Sequence, residues 1–233
     1  MILQILTGIA LIAAGAPSGP KAAKAKPHRP APASSPASAP LPVLQPSPDA
    51  MRVADWIATS RDNHALPYAV IDKRDASLIL FDGTGKRIAQ VPVLLGIASG
   101  DDATPGVGSK KLGEIGPAEK TTPAGRFLAK FGYAFGRQRV LWVDYTNSVA
   151  IHPIPGDAAR SEKRRARMLS PEPEDNRITF GCINVPTAFY AADLRPLFQK
   201  KGGYVYVLPD TKAMEDVFPR LRVHALTAGR EAA

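Results

Sequence analysis

Cys182 is the only cysteine among 233 residues, and it stands in the stretch RITFGCINVP, residues 177–186. A lone thiol cannot form an intramolecular disulfide or a multi-thiolate metal site. Two roles remain: a small buried filler, for which free cysteine is well suited, or a nucleophile. The nucleophilic role needs a base within reach of the thiol proton, because the thiolate is the reactive form and imidazole titrates near neutral pH. Of the four histidines, His28 lies in a proline-rich stretch, His64 in a polar connection and His224 near the C-terminus. Only His152 ends an apolar run, VAIH, and is followed at once by the loop PIPGD. That is the setting in which a scaffold presents reactive side chains.

Taken singly, His152 reads as a strand-end histidine with a structural hydrogen bond. The residues around the cysteine favour chemistry instead. Gly181 permits a tight turn or close approach to a ligand, and the N–H groups of Gly181 and Cys182 are candidate donors to a developing oxyanion. Pro186 and Thr187 predict a helix start just beyond, whose N-terminus would lower the thiol pKa.

These residues need a frame to hold them. After an N-terminal helix beginning at Ser47-Pro48-Asp49, with Val53, Trp56 and Ile57 on one face, the period changes from helical to alternating. Strands are predicted at 68–73, 77–82, 87–96, 126–131, 139–145, 149–152 and 204–209, the second and third joined through the turn GTG. Helices are expected over 187–198 and from 212 onward, the latter limited by Pro219. Without βαβ alternation, the fold class is mainly β: a sandwich or barrel with a few peripheral helices.

Composition bounds the rest. With 45% hydrophobic and 22% charged residues the chain is globular, and its formal charge of +9 favours anionic partners. Residues 1–25 contain an apolar run of signal-peptide length, interrupted by Gly15, Pro17 and Gly19 and followed by Ala23-Lys24-Ala25, an A-x-A cleavage pattern. The basic n-region is missing, so the run is a signal from a longer start, a weak signal, or an uncleaved anchor giving membrane association. Residues 26–48 read as a Pro/Ala-rich extended spacer. An N-terminal helix and connection (49–66), a catalytic domain (67–210) and a C-terminal helix and tail (211–233) complete the expected organisation. The protein is expected to be exported, to the periplasm or cell envelope, and monomeric, with no cofactor and no metal. Nucleic acid is disfavoured as a partner because no binding motif accompanies the charge.

The run Thr179-Phe180-Gly181-Cys182-Ile183-Asn184, with a histidine on an upstream strand, resembles the signature of L,D-transpeptidases of the YkuD type. TTPAGRF, with Thr122, Pro123, Gly125 and Phe127, is similar to the T-P-x-G-x-F element of that domain, and AVIDKRDASLILFDGTGKRIAQVPVLLG resembles its first strands. Together these cover residues 68–208. The resemblance implies a bacterial envelope enzyme acting on peptidoglycan stem peptides. The cysteine attacks the carbonyl of the third stem residue, releases D-alanine and passes the acyl group to an amine, giving a 3-3 cross-link or D-amino-acid exchange. Carried over, Cys182 is the nucleophile, His152 the base and later acid, and the Pro153 carbonyl orients the histidine. Thr179 matches the motif's small hydroxyl residue, and Asn184 its supporting polar residue.

Two departures stand out. Phe180 occupies a position where the family often has histidine, so no ring N–H is available there. The gap between His152 and the motif is also long, and carries Lys163, Arg164, Arg165 and Arg167. Those charges read as a solvated basic loop, or as a lid over an acidic substrate. Arg177, beside the motif, is the expected ligand of a substrate carboxylate. The glycine-rich 99–117 reads as a rim loop, lacking the order of a phosphate loop. Alongside transpeptidation, the same site would suit a peptidoglycan hydrolase or L,D-carboxypeptidase. The chain would equally suit a non-catalytic basic module binding anionic wall polymer, with Cys182 inert.

Overall fold

A computed structural model describes residues 41–224. The expected signal or anchor at 1–25, most of the spacer and the end of the tail lie outside the described residues. Among those described, no helix is long and apolar enough to cross a membrane.

The first helix, α1 (Pro48–Ser60), starts where its cap predicts. The Ser47 Oγ accepts from the Ala50 N–H at 3.0 Å, proline sits in the first turn, and left-handed Arg61 ends the helix. Its buried face, with Ala50, Val53, Ala54, Trp56 and Ile57, covers one side of a mixed sheet. The sheet strands are β1 (Tyr68–Asp72), β2 (Ser77–Phe81), β3 (Arg87–Pro92), β5 (Gly125–Tyr133), β6 (Arg139–Asp144), β7 (Val149–Pro153), β9 (Ile183–Val185) and β10 (Gly203–Val207). A second sheet pairs the short strands β4 (Leu95–Gly96) and β8 (Arg177–Thr179).

The order in the large sheet is β3-β2-β1-β10-β5-β6-β7-β9, with β1–β10 and β7–β9 parallel and the other pairs antiparallel. The two ends nearly meet. The Leu94 N–H donates to the Asn184 carbonyl at 3.0 Å and the Asn184 N–H donates back at 2.9 Å, joining the continuation of β3 to β9. The expected strand over 87–96 is therefore broken after Pro92, which cannot donate a ladder bond. The break lets the chain turn from β2 toward β9. The architecture is a nearly closed, barrel-like sheet with few helices, as the sequence pattern predicts.

Two cores follow from two covered faces. Ala69, Ile71, Leu78, Leu80, Ile151 and Ile183 point into the barrel, while Tyr68, Val70, Ile79 and Tyr206 pack under α1. Strands β1, β2 and β10 are buried at every residue because both of their faces are covered. The helical segment over 187–198 forms as predicted, with a π-helical stretch (Tyr190–Leu194) between α4 (Thr187–Phe189) and α5 (Arg195–Phe198). The helix predicted from 212 is short, Met214–Val217, and stops ahead of Pro219.

Three features were not anticipated. Strands β8 and β9 flank the cysteine, each of three residues and too short to show a period. The basic insertion folds into two helices, α2 (Gly156–Ser161) and α3 (Arg164–Met168). The glycine-rich 99–117 contains 3-10 turns at Val107–Ser109 and Leu112–Glu114.

A cluster of charges is also buried beside β8. The Lys73 Nζ, fully enclosed, donates to Asp101 Oδ1 at 2.9 Å and to the carbonyls of Gly100 and Thr122, and lies 3.3 Å from Asp210 Oδ2. Arg177 closes the cluster through Asp210 Oδ1 at 2.8 Å. Burial alone would raise the Asp101 carboxyl. The N–H groups of Lys212 and Asp210, the Lys73 ammonium and the Thr211 hydroxyl outweigh that and hold it well below the usual carboxylate range.

Candidate active site

Residues β7 and β9 contribute are brought together by their parallel register, Ile151 opposite Ile183 and His152 opposite Asn184. Alternation sends Ile151, Ile183 and Val185 into the barrel core. The same alternation puts His152, Asn184 and Cys182 on the opposite side. The histidine and cysteine, 30 positions apart in the chain, are thereby set on adjoining strands, with Cys182 one residue ahead of β9.

The turn between β8 and β9 is held by hydroxyls. Thr179 Oγ1 accepts from the Gly181 N–H at 3.2 Å and donates to the Cys182 carbonyl at 2.5 Å. Thr122, from the distant TTPAGRF element, donates to the Gly181 carbonyl at 2.9 Å and accepts from the Gly96 N–H at 2.9 Å. Gly181 is required on two counts. Its φ is +118°, and a Cβ would meet the Thr121 carbonyl oxygen at 2.7 Å. The expectation that both Gly181 and Cys182 N–H groups face an oxyanion changes accordingly: Thr179 engages the Gly181 N–H, and Cys182 N–H is the candidate donor that Thr179 does not engage.

The imidazole is fixed at one nitrogen. His152 Nδ1 lies 2.8 Å from the Pro153 carbonyl, which can only accept, so Nδ1 carries the proton and Nε2 is bare. Asn184 Nδ2 lies 3.3 Å from Nε2 and 3.5 Å from Nδ1. A donor in the ring plane at one nitrogen cannot be nearly equidistant from the other without colliding with the carbon between them. The amide therefore lies over the ring face, and the in-plane lone pair of Nε2 stays open. Asn184 is itself fully buried, and its Oδ1 accepts from Arg164 Nη1 at 2.8 Å.

The thiol is half-buried and donates to the Ser148 carbonyl at 3.5 Å; among the described residues no hydrogen bond joins it to His152. Burial pushes the Cys182 thiol up, against the smaller opposing effects of the Ala150 amide and Arg164. Burial likewise pushes His152 down, opposed by its bond to Pro153 and assisted by Arg164. The resting pair is a neutral thiol and a neutral imidazole. Desolvation is the largest influence on the thiol, and it acts against the thiolate.

Two other expected residues fall elsewhere. Arg177 is turned away into the buried cluster, bonded to Asp210 and 3.6 Å from Glu174, with its side chain only 8% exposed. Its partners are internal, and the side chain forms a nearly enclosed ion pair where a free guanidinium was expected. Phe180 is 38% exposed and carries the Lys120 ammonium 3.7 Å above its ring. Of the basic insertion, Arg167 bonds the carbonyls of Asp175 and Arg177, and Arg164 is buried at the site. The reading of those charges as a solvated loop is corrected for Arg164, which is buried. Arg164 and Met168, four apart in α3 and both buried, mark its inward face. That spacing was the signal in the sequence, masked by the neighbouring charges.

A cavity of about 250 Å³ opens beyond His152-Pro153, lined by Ile154, Met168, Leu169, Pro186 and Thr187 among others. A larger cleft of about 430 Å³ lies on the α1 side, around Trp56, Asp62, His64 and Arg126. It holds no nucleophile, and Asp62 there is bound by Arg126, Arg220 and Tyr206. Among the described residues no group of three or more His, Cys, Asp or Glu side chains is arranged to hold a metal ion.

No protein-family profile and no curated protein matches the sequence. Solved structures do. An L,D-transpeptidase fragment from Xylanimonas cellulosilytica is 14% identical, with a TM-score of 0.37 over 61% of this chain and 60% of that one. The helical cell shape determining protein of Campylobacter jejuni is 16% identical, with a TM-score of 0.43 over 68% and 56%. The catalytic domain of an Enterococcus faecium L,D-transpeptidase is 19% identical, with a TM-score of 0.33 over 60% and 95%. The match thus spans about three fifths of the first two.

Proposed function

We propose that the chain is a cysteine acyltransferase of the L,D-transpeptidase type, acting on peptidoglycan stem peptides in the cell envelope, with Cys182 as nucleophile and His152 as base. The observation that carries this reading is the pair on one face of β7 and β9: a lone thiol beside an imidazole whose Nδ1–H is tied to the Pro153 carbonyl and whose Nε2 is bare. An anchored imidazole with one open nitrogen is what a general base requires.

In this reading the thiol leaves the Ser148 carbonyl and gives its proton to Nε2 as sulfur attacks the carbonyl carbon of the third stem residue. The tetrahedral oxyanion is met by the Cys182 N–H. Collapse breaks the C–N bond, and the imidazolium protonates the departing D-alanine amine, leaving a thioester on Cys182. An acceptor amine attacks the thioester, His152 takes its proton, and the thiol is restored. The raised thiol and lowered imidazole make proton transfer in the complex, rather than a resting ion pair, the activating event. The cavity beside α3, next along the chain from His152-Pro153, offers room for an extended donor or acceptor chain. No cofactor enters these steps.

The test is incubation of the protein with tetrapeptide stems, followed by mass spectrometry, with Cys182→Ala in parallel. Cross-linked dimer that depends on Cys182 supports transfer. Cysteine-dependent free tripeptide would mean that water is the acceptor and the site is a carboxypeptidase or hydrolase. Binding to wall polymer with no cysteine-dependent product would leave the chain a basic binding module.

A further inference from the structure

Arg164 has no evident reason to be buried as a member of a basic run, yet its side chain is only 10% exposed. Its fork is divided between two partners: Nη1 donates to Asn184 Oδ1 at 2.8 Å, and Nε pairs with Glu162 Oε2 at 2.5 Å. A guanidinium offers donors only, so it fixes which end of the Asn184 amide faces it. The oxygen is turned to Arg164 and the nitrogen to His152. With the opposite amide orientation, an oxygen would face the ring and an NH2 group would face a cation.

We propose that Arg164 is a positioning residue for the histidine base: through Asn184 it holds an amide N–H on the imidazole face, keeping the ring in the plane where Nε2 is open toward the thiol. This rests on the reading of Cys182 and His152 as nucleophile and base. The ring has two anchors, Pro153 in its plane and Asn184 above it, and the second is only as firm as the group that holds it. Arg164 is also the ionised side chain that acts on both members of the pair, favouring the thiolate and disfavouring the imidazolium. Glu162, the carboxylate facing it, is 44% exposed and only partly screens that charge. The insertion that lengthens the gap between His152 and Cys182 thus supplies a brace for the base.

The test uses the full chain with stem peptide for turnover and iodoacetamide against pH for the thiol. Arg164→Gln is expected to lower kcat about tenfold, a part of the about 10²- to 10⁴-fold a positioned base supplies, with KM held within about twofold. Its alkylation midpoint should move to higher pH. Arg164→Lys, which keeps the charge but not the fork, should leave that midpoint in place and recover only part of kcat. In an Asn184→Ala background Arg164→Gln should reduce kcat by less than in the parent, because only the loss of charge remains to be felt. Additive losses, a change in KM alone, or unaltered kcat and midpoint would overturn the proposal. If Arg164→Gln does not fold, Arg164→Lys and Asn184→Ala carry the same comparison. If the unaltered protein converts no stem peptide, the functional reading fails, while the alkylation midpoints still decide whether Arg164 acts on the thiol.

Discussion

Two buried polar groups of side chains flank β8, and they are built to opposite rules. In one, Lys73, Asp101, Asp210 and Arg177 are enclosed with every charge facing its opposite and with backbone N–H groups completing the Asp101 carboxylate. In the other, Cys182 and His152 are desolvated and neutral, each held by a backbone carbonyl, with one imidazole nitrogen left open. The first is saturated and has no proton to move. The second is incomplete, and incompleteness in a fixed frame is what lets a proton transfer occur. Residues 177–179 serve both: Arg177 locks into the ionic cluster while Thr179, two residues on, grips the turn that carries the thiol. The charged cluster therefore helps to hold the frame that carries the thiol.

The sharpest way to break this contrast is to remove one member from each side. His152→Ala should lower turnover about 10²- to 10⁴-fold, measured on stem peptide, while leaving the urea midpoint close to that of the parent. A large loss of stability instead would place His152 among the structural groups. Asp101→Ala should do the reverse, leaving the enclosed Lys73 and Arg177 cations to share Asp210 and costing about 3–5 kcal/mol in urea unfolding. Should that variant be as stable as the parent, the cluster is not a structural clamp. The acid limb follows the same logic. Because folding depresses the Asp101 carboxyl, its contribution is complete above about pH 4 and is lost only as pH falls through the lower folded value.

Gly181→Ala probes the seam between the two regions. A Cβ at φ +118° against the Thr121 oxygen should cost about 1–3 kcal/mol and displace the thiol, seen as loss of both urea midpoint and turnover. A fully active alanine variant would show that the turn is not held as the hydroxyl bonds imply. The smallest effect is a titration. Alkylation of Cys182 should have a midpoint above about 8.5, and the His152 imidazole, followed by NMR, one below about 6.5. Midpoints in the opposite order would mean a resting thiolate–imidazolium pair, and the contrast between a charged cluster and a neutral site would vanish.

Much of the frame was legible because it is written in short-range patterns. Ser47-Pro48 announces α1, the short apolar runs SLILF and VAIH announce strands, and GTG announces the hairpin that joins SLILF to the strand beginning at Arg87. What eluded the sequence has no local period. Strands β8 and β9, three residues each, become strands only because β4 and β7 lie beside them. Arg177 and Arg164 look alike as exposed cations, yet Asp210 and Asn184, 33 and 20 residues away, decide their roles.

By itself the sequence determined the candidates: one thiol, one histidine at a strand end, a glycine that permits a tight turn beside the thiol, and a carbonyl after the histidine that proline still supplies. The tertiary structure decided what those groups face. It tied the Gly181 N–H to Thr179, paired Arg177 with Asp210, and brought Arg164 out of a basic run to Asn184. The reason is physical. Residue type sets which bonds a side chain can make, whereas burial and the partners delivered by strand register set which of them it does make.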